Sequence, residues 1–169
     1  KRQATTRITT PIFGIFSEYV VGLREYGALI KKEDAKLRQG LDPATLSQVD
    51  GSGLSRRNLV SAQNFTDLLL AINKQPWFNA WYDALPIAGN PDRLDGGSLR
   101  YRLRGTAAQN NLQAKTGSMG GVSSLTGYIT DAGGRRLVFS MLTNNYVVQG
   151  SRIKALEDRL AVVLAQSLD

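Results

Sequence analysis

The sequence predicts an α/β (α+β) fold, with a sheet confined to the last third and helices before and after it. Three observations carry that prediction. Residues 61–85 repeat apolar side chains at helical spacing, residues 112–142 run in strand-length segments around a turn signal, and residues 151–163 return to helical spacing.

Residues 1–40 give the weakest pattern. Phe16, Val20, Leu23 and Ile30 fall near a helical period, while Gly22 and Gly27 interrupt it. From Asp50 to Ser55 the chain reads Asp-Gly-Ser-Gly-Leu-Ser, a turn in which glycine supplies unusual backbone angles. Asp50 and Ser52 are read there as turn architecture, because short polar side chains stabilise turns. Ser61 is placed to cap a helix whose face is Phe65, Leu68, Leu69 and Ile72. Pro76 fits the first turn of a second helix, with Trp77, Trp81 and Leu85 spaced by four. That helix should stop at Leu85, before Pro86. Gly89 to Gly97 reads as a loop.

Leu112 to Lys115 leads into the first strand. In the second, Ser123 to Thr130, Leu125, Gly127 and Ile129 share one face and Tyr128 takes the other. Asp131-Ala-Gly-Gly134 signals a hairpin turn. The third strand, Arg136 to Leu142, contains the apolar run Leu137 to Leu142, as expected of a strand covered on both faces. Ser151 is placed to cap a last helix with the stripe Ile153, Leu156, Leu160 and Val163.

Composition narrows the chemistry. The chain has 169 residues, is 42% apolar and 21% charged, and carries a formal net charge of +7. That is ordinary for a globular protein with enough apolar material for a core. Cysteine and histidine are both absent, which excludes disulfides, thiolate or histidine metal sites and a Ser-His-Asp triad. Acid–base work falls to Lys, Asp, Glu or Tyr. The basic residues are scattered, with no dense run beyond Lys1-Arg2, so no nucleic-acid partner is expected. No stretch reaches the roughly 20 apolar residues of a membrane span; membrane association stays open.

Lys115-Thr116-Gly117-Ser118 falls where a strand should run. A lysine beside a hydroxyl can clamp a carboxylate. A glycine lets a peptide lie against the strand and pair with its edge. The plainer reading of such a tripeptide is an edge-strand lysine kept for solubility.

The surrounding run, Leu112-Gln-Ala-Lys-Thr-Gly-Ser-Met-Gly-Gly-Val-Ser-Ser-Leu-Thr-Gly-Tyr-Ile129, resembles the third active-site motif of class C penicillin-binding proteins, the D-Ala-D-Ala carboxypeptidase/endopeptidases. Asp50-Gly-Ser-Gly-Leu-Ser-Arg-Arg-Asn-Leu-Val-Ser61 resembles another signature of that family. Leu85-Pro-Ile-Ala-Gly89 and Asp95-Gly-Gly-Ser-Leu-Arg-Tyr-Arg102 follow in the family's order. The resemblance runs from Leu41 to the end. It implies a transpeptidase/β-lactamase-like antiparallel sheet flanked by helices, working through an acyl-serine and an oxyanion hole. Residues 41–169 would then be the C-terminal part of the catalytic domain, and 1–40 an unassigned segment or attachment.

The same resemblance implies the site. Lys115 would hold a second motif and help position the proton path. Thr116 and Ser118 would bind the terminal carboxylate of D-Ala, and Gly117 would lie where substrate approaches. The Ser118 N–H would be an oxyanion donor, and Met119 would line the stem-peptide pocket. Arg56 would meet a carboxylate on the diamino-acid side chain; its plainer reading is a surface arginine. The implied partners are peptidoglycan stem peptides and β-lactams, with no cofactor and no metal, in a periplasmic or extracytoplasmic setting where a polyanionic wall suits the basic charge.

The chain departs from the family in its nucleophile. The only Ser-x-x-Lys is Ser151-Arg-Ile-Lys154, after Lys-Thr-Gly and at the expected cap of a helix. No Ser-x-Asn motif is present; Ser55-Arg-Arg-Asn58 and Ser61-Ala-Gln-Asn64 have the wrong spacing. Three readings stay open: part of a longer enzyme, a stem-peptide-binding pseudoenzyme, or a structural subunit of a larger assembly. In each, the sheet is incomplete, and another segment or chain should cover its free edge.

Overall fold

The structure, a computed structural model, describes residues 55–168 together with 46, 47 and 53. The helical pattern within 1–40 and the turn residues Asp50 and Ser52 lie outside the described residues.

Helix α1, Ala62–Asn73, starts as expected at Ser61, whose hydroxyl accepts from the Asn64 amide at 3.1 Å. Asn64 returns the bond by accepting from the Ser61 amide at 2.9 Å, closing a capping box. Its buried face is Phe65, Leu68, Leu69 and Ile72, as the periodicity required. Helix α2, Phe78–Ala84, begins two residues later than the Pro76 rule implied, because Pro76 and Trp77 complete a turn first. Residues 89–97 are not wholly loop: Asp92 caps a one-turn helix α3, Arg93–Gly96, which runs into the 3₁₀ turn Gly97–Leu99.

Three strands follow in the order β1-β2-β3: Gln113–Met119, Val122–Thr130 and Arg136–Asn144, all antiparallel. Each is longer than its sequence signal. β1 continues through Lys-Thr-Gly to Met119, and β3 continues two residues past Leu142, because main-chain pairing extends strands beyond their apolar stretches. β1 and β2 meet at Gly120-Gly121, where Gly121 takes φ +73°. The β2–β3 turn is the expected Asp131–Gly134 signal. The Asp131 carboxylate accepts from the Arg135 amide and from Arg135 Nε, both at 2.8 Å.

Two corrections concern the last helix, α4, Gly150–Gln166. Its N-cap is Gln149, and Ser151 lies inside the first turn, exposed and making no capping bond. The buried stripe is Ile153, Glu157, Ala161 and Ala165, whereas Leu156, Leu160 and Val163 are exposed. The reason is polar and steric together. Glu157 accepts from Ser123 Oγ on β2 at 2.7 Å and from Arg102 at 3.0 Å, and the two alanines let the helix settle close on the sheet. A third correction concerns β3. Only Phe139 in it is fully buried; the run Leu137 to Leu142 is otherwise half-covered, as befits an edge strand.

The sheet separates two cores. On one face Leu112, Ala114, Leu125, Ile129 and Phe139 pack with Leu99 and the alanines of α4. On the other, Tyr128 packs with α1 and α2 and donates its hydroxyl to the Leu69 carbonyl at 2.9 Å. The sheet divides Leu125 and Ile129 from Tyr128, as the strand alternation required.

Candidate functional site

β1 is an edge strand, and its outer edge is only partly covered. The Ala114 amide donates to the Pro86 carbonyl at 3.0 Å, and the Leu112 carbonyl accepts from Ala88 N–H at 2.9 Å. Ile87 forms an isolated antiparallel bridge with Gln113. Even-numbered residues of β1 therefore turn their main-chain groups away from β2, and odd-numbered ones turn them toward it. By the same period Thr116 and Ser118 present N–H and C=O to the open edge. Neither makes a backbone bond to another element among the described residues. The Ser118 amide, expected from the resemblance to face an oxyanion, thus points outward from the strand.

The side chains follow the alternation. Ala114 belongs to the α4-side core, so Thr116 and Ser118 share that face. Gln113 donates to the Tyr82 carbonyl on α2 at 3.0 Å, so Lys115, Gly117 and Met119 share the other face. Lys115 and Thr116 thus leave opposite faces and can converge only around the strand edge. The lysine does so: its Nζ curls over the edge and donates to the Thr116 carbonyl at 2.7 Å. Lys115 and Thr116 are half-buried, Gly117 is buried and Ser118 is exposed. Gly117 is not among the glycines at positive φ.

Arg56 lies far off in sequence but reaches the distal end of β1. Its Nη2 donates to the Gly120 carbonyl at 3.4 Å, beside Met119 and the hairpin turn. The structure therefore places Lys115 to Met119 on one strand with Arg56 at its far end; of these, Thr116 and Ser118 turn their main-chain groups to the open edge, and the Lys115 side chain reaches it. Ser151 and Lys154 are exposed on α4.

Two features escaped the sequence reading. Thr116 Oγ1 donates to Ser98 Oγ, 2.9 Å away on the 3₁₀ turn. The segment Pro86 to Ala88 closes the proximal half of the β1 edge. Both belong to motifs already singled out for their order along the chain. The order alone carried no sign that they fold onto β1.

Residues 30–167 match the family described as D-Ala-D-Ala carboxypeptidase 3 (S13). Among curated relatives, the D-alanyl-D-alanine carboxypeptidase of Actinomadura sp. is 44% identical over 138 residues, covering 82% of this chain and 25% of that protein. Carboxypeptidase DacB of Mycolicibacterium smegmatis is 37% identical, covering 74% of this chain and 27% of that protein. The chain thus spans about a quarter of the length of the curated relatives it matches. Among solved structures, penicillin binding protein 4 from Haemophilus influenzae in complex with a β-lactam aligns with a TM-score of 0.69 at 30% identity. That alignment covers 85% of this chain and 34% of the other.

Proposed function

The chain belongs to the D-Ala-D-Ala carboxypeptidase 3 (S13) family, and from that premise we propose that it supplies the carboxylate-recognising strand of a serine-type D-Ala-D-Ala carboxypeptidase/endopeptidase. The substrate is a peptidoglycan stem peptide, β-lactams occupy the same edge, and the setting is periplasmic or extracytoplasmic. One observation carries this reading: the edge of β1 is open from Thr116 onward, with Lys115 folded over it and Arg56 at its far end. A peptide lying antiparallel to β1 would place its terminal carboxylate by Thr116 and Lys115. Its scissile carbonyl oxygen would face the outward Ser118 amide, and the diamino-acid side chain would lie near Met119 and Arg56. A backbone N–H preset toward a developing oxyanion stabilises it without reorganisation.

The acyl-serine step requires a nucleophile, and the sequence offers only Ser151 in the right spacing to a lysine. Its exposed place on α4 favours a helical surface role. The chain alone should therefore bind stem peptides without forming a covalent adduct, as a pseudoenzyme or assembly subunit would. Incubation with a fluorescent penicillin followed by denaturing electrophoresis should leave the 169-residue chain unlabelled; a labelled band would contradict that, and Ser151→Ala would identify the residue. Calorimetry tests the clamp. A D-Ala-D-Ala peptide with a free carboxylate should bind roughly ten- to a hundredfold more tightly than its amide, the effect of a charge-assisted hydrogen bond. Equal affinities would refute the proposal.

A further inference from the structure

We infer that Ser98 is a positioning residue for the Thr116 hydroxyl, the group that the proposed function sets against the substrate carboxylate; the inference rests on that reading. Thr116 is half-buried on an open edge. Ser98 Oγ, 2.9 Å from Thr116 Oγ1, gives that hydroxyl one defined direction. A hydroxyl has one proton and two acceptor sites. In the arrangement seen, Thr116 donates to Ser98, and the Ser98 proton is directed elsewhere. When a carboxylate arrives the Ser98 side chain and both hydroxyls rotate, and the pair reverses. Ser98 donates to Thr116 Oγ1, and Thr116 turns its proton to the carboxylate. Neither proton changes owner. A donor that is itself accepting a hydrogen bond is polarised and binds an anion more strongly.

Ser98 is set in place from both sides. Before it, Gly97 takes φ +48°, and a Cβ on Gly96 would lie 2.6 Å from Arg100 Cβ, so the turn is built on two glycines. After it, Leu99 is fully buried, and its carbonyl accepts from Gly89 N–H at 3.0 Å and Arg102 N–H at 2.9 Å. Arg102 is fastened to α4: its Nη2 donates to Glu157 at 3.0 Å and to the Lys154 carbonyl at 3.1 Å, and its Nε donates to Asp158 at 2.9 Å. The exposed Ser98 side chain thus stands on a rigid support, as a preorganised contact needs.

The test compares the 169-residue chain with its Ser98→Ala and Ser98→Thr variants by calorimetry. The probes are an N-acetylated peptide ending in D-Ala-D-Ala and the C-terminal amide of the same peptide. Ser98→Ala should weaken binding of the carboxylate peptide roughly three- to tenfold, the worth of one neutral hydrogen bond. Its affinity for the amide and its Tm should not change, and Ser98→Thr should restore carboxylate binding. Equal losses for both peptides, or a lowered Tm with no change in preference, would assign Ser98 a purely structural role and overturn the inference. Full carboxylate preference in Ser98→Ala overturns it while leaving the proposed function standing. A wild-type chain indifferent to the carboxylate overturns both.

Discussion

Gly127→Ala should damage both the sheet and the site. Gly127 pairs with Ala114 near the start of β1, at one of the closely spaced positions of the antiparallel ladder. A Cβ built there would lie 2.6 Å from both Ala114 Cα and Ala114 Cβ, and nearer still to the Gln113 carbonyl oxygen. Ordinary contact begins at 3.4 Å, so β1 would have to move by about 1 Å to clear the Gln113 carbonyl oxygen. The obstacles are main-chain atoms of a strand held on its other side by Pro86 and Ala88, so no side chain can swing away. Overpacking of this kind costs about 1–3 kcal/mol. In a chain of this size that lowers Tm by roughly 2–4 °C per kcal/mol. The function suffers separately, because the displaced strand carries Lys115 to Ser118. A misplacement near 1 Å can cost up to about a hundredfold, so carboxylate-peptide affinity of the folded protein should fall about tenfold. Thermal melts and calorimetry on wild type and variant read the two effects. A variant with unchanged Tm and unchanged affinity would show that β1 and β2 are not as closely apposed as described, and the geometry argued for the edge would fall with it.

Removing the Glu157 carboxylate should be the more destabilising of two substitutions. Glu157→Ala leaves the buried Ser123 hydroxyl without its acceptor, while Arg102 keeps Asp158 and the Lys154 carbonyl, and should cost about 1–3 kcal/mol by urea melting, whereas Glu157→Gln keeps an acceptor for Ser123 and should cost clearly less; equal losses would argue against the network. Asp131 should contribute an acid-sensitive part of the stability. The Arg135 amide, followed by its guanidinium, holds the Asp131 carboxyl below its ordinary value of 3.8. The contribution is therefore complete above that value and is lost as pH falls through the lower folded one. Asp131→Asn should be less stable than wild type at neutral pH, with the gap closing in acid; melting curves that stay parallel down to about pH 2 would contradict this.

The helices and the strands were legible in the sequence to different degrees. α1 was readable to its cap, because Ser61 and the Phe65–Ile72 face are local signals. α4 was readable as a helix but not in its rotation. Hydrophobicity favours Leu156, Leu160 and Val163, whereas the buried position of Glu157 depends on partners 34 and 55 residues away. Strand existence was clear and strand length was not, since pairing partners rather than composition decide where β1 ends. The candidate site residues were chosen by motif order, and that order places Lys115 to Met119 on β1 with Arg56 at its far end. Ser98 was not, because a serine in a glycine-rich turn has no local feature that distinguishes support for a remote threonine from ordinary turn chemistry.

The Pro86–Ala88 contact with β1 gives the edge a direction and an end. Main-chain positions before Ala114 are already taken, so an incoming peptide can travel along the strand only as far as Thr116 and then meets a wall of the protein's own backbone. Under the proposed function such a cul-de-sac would sort substrates by where they stop. A chain terminating in a carboxylate would park at the wall, within reach of Lys115, while a chain that continues past that point would have nowhere to go. Under the proposed function, preference for peptide termini over peptide interiors would come from this blocked half of the strand, and shortening the Pro86–Ala88 segment would be the way to relax it.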